Sequence, residues 1–106
     1  MKFEEIRNVA MIGSGTMGAG MSWCFAQAGY HVKLHDVSPQ QLERALARIE
    51  ATRKLFVQEG LLSAEEGRAA TARITPTTGL EESLAGVQYV LEAVPEKAEQ
   101  LAAAVA

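Results

Sequence analysis

The spacing of apolar positions changes repeatedly along the first half of the chain, and each change marks an element. Arg7-Asn8-Val9-Ala10-Met11-Ile12 is a short apolar run without polar alternation, the pattern of a strand covered on both faces in a parallel sheet. It ends directly in glycines. From Thr16 to Ala28 no proline intervenes, and Ala19, Trp23, Ala26 and Gln27 recur at helical intervals. This predicts a helix, with Gly29 as its stop. Tyr30 to Leu34 reads as a second strand, with His35 and Asp36 at its carboxyl end. Ser38-Pro39 opens the next helix, an N-cap followed by proline at the first helical position. Leu42, Ala45, Leu46 and Ile49 make a stripe at i, i+3, i+4, i+7, and the helix is predicted to run to about Gln58, with Gly60 ending it.

Ser63-Ala64-Glu65-Glu66 begins a further helix, with Glu66 in capping-box position. Arg73 to Thr75 is a brief strand, Leu80 to Leu84 a short helical turn, Val87 to Val94 a buried strand, and Ala98 to Ala106 an alanine-rich segment of helical propensity. The order β-α-β-α-α-β-α-β-α, without repeat or linker, predicts one α/β domain over residues 1–106, built on a doubly wound parallel sheet. A last helix with no strand after it leads to the expectation that the fold is truncated.

Composition adds mainly exclusions. The 106 residues suffice for one small domain, and a net charge of −3 without a Lys/Arg cluster gives no argument for nucleic acid or an acidic membrane surface. No apolar run approaches the roughly 20 residues that span a bilayer. The opening Met1-Lys2-Phe3-Glu4-Glu5 mixes charges unlike a signal peptide, and the single Cys24 cannot form an internal disulfide. A cytoplasmic setting is expected, or the mitochondrial matrix.

Gly13-Ser14-Gly15-Thr16-Met17-Gly18 matches G-x-G-x-x-G between a predicted strand and a predicted helix, the context in which the motif carries meaning. Gly13 permits the tight turn, Gly15 leaves room for a pyrophosphate against the backbone, and Gly18 allows close helix–strand packing. The amides at the helix start then face phosphates, where the helix dipole favours negative charge. Asp36, at the end of the second strand, lies eighteen residues beyond Gly18, near the spacing expected of a ribose-binding acid. Its carboxylate can accept from both adenine-ribose hydroxyls and would repel a 2′-phosphate. The cofactor expected is therefore NAD and not NADP, on a Rossmann-type fold.

The other polar residues read as structural. His31 and His35 lack metal-ligand partners in the pattern, and Cys24 beside Trp23 reads as a small buried apolar residue. Met11, Met17 and Met21 are expected to pack around the first strand and helix. Glu43, Arg44, Arg48, Arg53 and Lys54 are expected on a solvated helix face. Gly20, costly inside a helix, is expected where that helix approaches the sheet closely.

Three stretches carry a family resemblance: residues 9–20, Phe25-Ala26-Gln27-Ala28-Gly29-Tyr30, and Asp36-Val37-Ser38. Arg73-Ile74, Thr77-Thr78 and Leu91-Glu92-Ala93-Val94-Pro95-Glu96 extend it, so that it covers roughly Arg7 to Glu96. In these the chain resembles the N-terminal domain of the L-3-hydroxyacyl-CoA dehydrogenase family, including its long helical excursion between strands two and three, here Pro39 to Ala70. The resemblance implies that Gly13 to Gly18 and Asp36 hold NAD, that Ala93 and Val94 line the nicotinamide side, and that Glu96 is a further cofactor contact. It also implies an acyl-CoA substrate near Thr52, a homodimeric parent, and catalytic His, Glu, Ser and Asn residues in segments beyond Ala106. The chain departs from the family at Leu101, where a cofactor-touching lysine is usual, and at Gly79, which replaces an acid.

By this reading the parent enzyme oxidises L-3-hydroxyacyl-CoA to 3-oxoacyl-CoA in fatty-acid metabolism, and the 106 residues contain no catalytic residue. The alternatives are another β-hydroxyacid or sugar-acid dehydrogenase, the crystallin-like branch among them, and a non-catalytic NAD-binding module.

Overall fold

The computed structural model describes residues 7–92. Four strands, β1 (Asn8–Ile12), β2 (His31–His35), β3 (Ile74–Thr77) and β4 (Tyr89–Glu92), alternate with α1 (Thr16–Gln27), α2 (Pro39–Gln58), α3 (Ala64–Ala72) and α4 (Leu80–Leu84). The alternation makes every strand pair parallel, in the order β3-β2-β1-β4. This is the Rossmann arrangement predicted. The helix expected over Ala98 to Ala106 lies outside the described residues, as do Ala93, Val94 and Glu96. Three strand expectations shift: β2 takes in His35, β3 runs one residue later and further than expected, and β4 begins at Tyr89, not Val87, with Tyr89 and Val90 exposed instead of buried because no described helix covers them.

Strand alternation sorts the two faces. Val9, Met11, Val32, Leu34 and Ile74 point to one side, where they bury against Ala19, Trp23 and Ala26 of α1, Leu42, Ala45 and Ile49 of α2, and Ala70 of α3. Trp23 meets Phe56 edge-on, ring centroids 5.4 Å apart, and so fastens α1 to the long excursion. Lys33 and His35 point to the other face, where α4 sits. The Lys33 ammonium donates to the carbonyls of Glu82 and Ala85, at 3.0 and 2.6 Å, capping the last turn of α4. Helices on both faces make the sheet doubly wound.

Helix ends follow the sequence signals. Ser38 accepts from the Gln41 amide ahead of Pro39, and Ser63 and Glu66 close a full capping box. Glu43, Arg44 and Lys54 are exposed as expected. Arg53 is half-buried, pairs with Glu50, and lays its stem across Gly67 of α3.

Three expectations for α1 are corrected. Its buried stripe is Ala19, Ser22, Trp23 and Ala26, which puts Met17, Gly20, Cys24 and Gln27 on the outside, all exposed. Cys24 is therefore not buried, and Met17 does not pack in the core, whereas Met11 and Met21 do. Nothing lies within 4 Å of where a Gly20 side chain would begin, so close approach to the sheet does not explain that glycine.

Candidate functional site

The register aligns the carboxyl ends of the strands. Ile12 pairs with His35 and with Glu92, and His35 pairs with Thr77, so all four strands end along one edge. β1 is central, with β2 on one side and β4 on the other. Strand order reverses beside it, and such a switch point is where open α/β sheets bind ligands.

At that point Gly13 takes φ +99°, a conformation open to glycine, and its amide donates to the His35 carbonyl at 2.8 Å. Gly15 then stands as the N-cap of α1 at φ −62°, and a Cβ there would meet nothing within 4 Å. The space a side chain would fill is open at the mouth of the turn. Unlike α2 and α3, α1 has no side-chain cap, and unlike α3 it has no acid in its first turn. Its first amides are left as donors for an anion. Gly18 is buried, Thr16 is exposed at the helix start, and Met17 is 62% exposed there.

Asp36 is brought to the same turn. Its Oδ2 accepts from the Ser14 amide at 3.1 Å and the Ser14 hydroxyl at 2.8 Å, and its Oδ1 from the Ser38 amide at 3.0 Å. Burial by itself raises the carboxyl pKa. The bonds from the Ser38 amide and from the Ser14 hydroxyl and amide, with the neighbouring His35, outweigh it and hold the group below its ordinary value. Asp36 is thus an anion, half-buried, next to the open mouth and beside the exposed Val37. The open space at Gly15, the uncapped helix start and the fixed carboxylate fit the phosphates and ribose of a dinucleotide. Of the residues singled out in the sequence, Gly13, Ser14, Gly15, Thr16, Met17, Gly18 and Asp36 come together here.

Neither histidine reaches this space as a free base. His31 is exposed at the amino end of β2, the opposite edge of the sheet. His35 is buried, with Nδ1 at 3.0 Å from the Ser83 hydroxyl. That hydroxyl donates to the Gly79 carbonyl at 2.8 Å and also bonds Thr77, so it receives the Nδ1 proton of His35. The trio of His35, Thr77 and Ser83, which the sequence pattern did not reveal, pins α4 to the sheet. Also unforeseen is a cavity of about 360 Å³ between α1 and α2, lined by Thr16, Gly20, Arg48, Ile49 and Thr52 among others. Among the described residues no group of His, Cys, Asp and Glu could hold a metal, and no helix is long and apolar enough to cross a membrane.

A parallel sheet with this glycine turn at its switch point and an acid ending β2 defines a Rossmann dinucleotide-binding domain. Residues 8–103 match the family "3-hydroxyacyl-CoA dehydrogenase, NAD binding domain", and the chain belongs to it. It is 39% identical over 95 residues to 3-hydroxyadipyl-CoA dehydrogenase of Escherichia coli K12, covering 90% of this chain and 20% of that protein. It is 38% identical over 94 residues to L-carnitine dehydrogenase of Streptomyces griseus, covering 89% and 27%. The crystal structure of 3-hydroxybutyryl-CoA dehydrogenase from Escherichia coli K12 superposes with a TM-score of 0.83 at 39% identity, over 90% of this chain and 20% of that one. The chain therefore spans a fifth to about a quarter of the length of these relatives, and its cofactor is NAD.

Proposed function

We propose that this chain is the cofactor domain of an enzyme that oxidises L-3-hydroxyacyl-CoA to 3-oxoacyl-CoA. In this reading the amides of the Gly13–Gly18 turn bind the pyrophosphate and Asp36 takes the adenine ribose. Ala93 and Val94 line the nicotinamide side and Glu96 makes a further contact. NAD, when bound, accepts the hydride. The observation that carries the reading is the joint presence, at one switch point, of open space over Gly15 and a fixed Asp36 carboxylate. The cavity beside Thr52 and Arg48 gives the CoA moiety a place next to the helix start, in keeping with the resemblance. A homodimeric assembly in the cytoplasm or mitochondrial matrix goes with it, as does a role in fatty-acid metabolism.

Calorimetry with NAD and NADP tests the cofactor part: NAD binds, NADP binds far more weakly, and Asp36→Ser narrows the gap because a hydroxyl does not repel a 2′-phosphate. Equal affinities in the parental chain would refute the role of Asp36. The 106 residues alone are expected to bind NADH without reducing acetoacetyl-CoA, since no described proton-transfer group faces the site. NADH oxidation proportional to purified protein would overturn that. A second reading, oxidation of a hydroxy acid not joined to CoA, is favoured by the near-equal identity to the L-carnitine and 3-hydroxyadipyl-CoA dehydrogenases. NAD reduction with L-carnitine against L-3-hydroxybutyryl-CoA, in the enzyme carrying this domain, separates the two.

A further inference from the structure

A hydroxyl has one proton to give and two positions at which to accept. The Ser83 hydroxyl gives its proton to the Gly79 carbonyl at 2.8 Å, since a carbonyl cannot donate. Its accepting positions are then taken by Thr77 and by Nδ1 of His35, the latter at 3.0 Å. Nδ1 therefore carries its proton in both charge states of the ring, and in the neutral ring Nε2 is the bare nitrogen. Nε2 has no partner among the described residues. The buried polar atoms left without one are Ser22 Oγ and Trp23 Nε1, so Nε2 of this 5% exposed ring touches solvent.

Protonation at Nε2 breaks no bond. Nδ1 still donates to Ser83, α4 stays pinned, and the ring gains one positive charge. That charge sits at the carboxyl edge, because the His35 carbonyl holds the Gly13 amide at 2.8 Å and the next residue is Asp36. Carboxylates and ammonium groups do not change charge between about pH 5 and 8, the range in which imidazole does. On β2 these are Asp36, an anion held below its ordinary pKa, and Lys33, whose ammonium lies on α4 carbonyls. On α4 they are the exposed Glu81 and Glu82. Ile12 and Thr77, which pair with His35 from β1 and β3, carry no charge, and Glu92 ends β4 two strands away. His31 lies at the opposite edge.

We propose that His35 is a pH-sensitive switch of charge at the cofactor edge: with Nε2 protonated, the chain binds NAD more tightly than with Nε2 bare. The ring does not enter the cofactor's space and acts by charge alone, on the two negative charges of the diphosphate. The proposal rests on the assignment of that diphosphate to the Gly13–Gly18 turn. A unit charge at a half-buried edge, partly screened by salt, changes affinity by about threefold to tenfold. By linkage, bound NAD favours the protonated ring by the same factor.

The test is calorimetry of the chain with NAD at low salt, at about pH 5.5 and about pH 8. The parental protein binds about threefold to tenfold more tightly at the lower pH, and the difference shrinks in about 0.5 M salt. His35→Asn keeps a donor where Nδ1 stood and has nothing to titrate; it removes the difference, while His31→Asn leaves it. NMR of the His35 ring, free and with NAD, reads the reciprocal effect: NAD moves its titration midpoint to higher pH. An affinity independent of pH in the parental protein overturns the proposal, as does a pH dependence that persists in a folded His35→Asn variant. If that variant lacks a cooperative melt, the ring itself decides, and a midpoint that NAD leaves in place overturns the proposal as well. Absence of NAD binding at either pH, or binding unaffected by Gly15→Val, is a separate outcome: it overturns the diphosphate assignment beneath the proposal.

Discussion

Gly15→Val separates cofactor binding from folding more cleanly than any other substitution the site allows. The backbone at Gly15, φ −62° and ψ −169°, lies close to the extended region open to all L-residues, and the first atom of a new side chain meets nothing within 4 Å. Two small stability effects oppose each other. Valine is a poorer N-cap than glycine, while losing glycine restricts the unfolded chain, each worth about 0.5–1 kcal/mol. The net change stays within about 1 kcal/mol, a melting shift of no more than about 8 °C for a domain this size. Binding suffers far more. The isopropyl group fills the space over the uncapped amides of α1. Losing two charge-assisted hydrogen bonds at about 1.5–3 kcal/mol each weakens NAD by more than a hundredfold. Circular dichroism melts establish folding, and calorimetry with NADH measures affinity. A folded variant that binds NADH within about threefold of the parental protein would show that the pyrophosphate lies elsewhere.

Two further outcomes follow from the structure. Because hydrogen bonding depresses the native pKa of Asp36, its stabilisation is complete above the ordinary carboxylate value of about 3.9 and is lost as pH falls through the lower native value. The melting-temperature deficit of Asp36→Asn is therefore full near pH 6–7 and shrinks below about pH 4; a deficit constant across that range contradicts the assignment. Ser63→Ala removes one half of the α3 capping box and costs about 1 kcal/mol, several degrees in melting temperature, with NAD affinity unchanged; an altered affinity would mean that α3 communicates with the site.

The parts legible in sequence were those written in local chemistry. The glycine turn, the Ser38-Pro39 helix opening and the Ser63/Glu66 box each occupy a few consecutive residues, and each forms as expected. The errors in α1 are errors of phase. Ala19, Trp23 and Ala26 set the buried stripe, and the same geometry sends Gly20 and Cys24 outward. Reading those two residues by type, and not by angle from Trp23, put them on the wrong face. The trio of His35, Thr77 and Ser83 was out of reach for another reason. His35 and Ser83 lie forty-eight positions apart and meet only because β2 and β3 pair in parallel and α4 folds back on the far face. Ser14 falls between these cases. The motif named its position, but only the turn shows its hydroxyl on Asp36.

This convergence on Asp36 has a consequence for how the site can be dissected. The carboxylate ties the turn after β1, through Ser14, to the start of α2, through Ser38, while its own amide donates to the Thr77 carbonyl at 3.2 Å. One residue thus fastens three of the connections that leave the carboxyl edge of the sheet. Substituting it disturbs the ligand's acceptor and the geometry of the phosphate turn together. A loss of NAD binding in any Asp36 variant therefore mixes two causes. Ser14 carries the same ambiguity in a weaker form, since its amide remains when its hydroxyl is removed. Gly15 carries none, because no described residue lies within 4 Å of where its side chain would begin. Agreement between an unaltered melt and a lost affinity at Gly15 assigns the open space to the cofactor, and the Asp36 and Ser14 variants can then be interpreted against it.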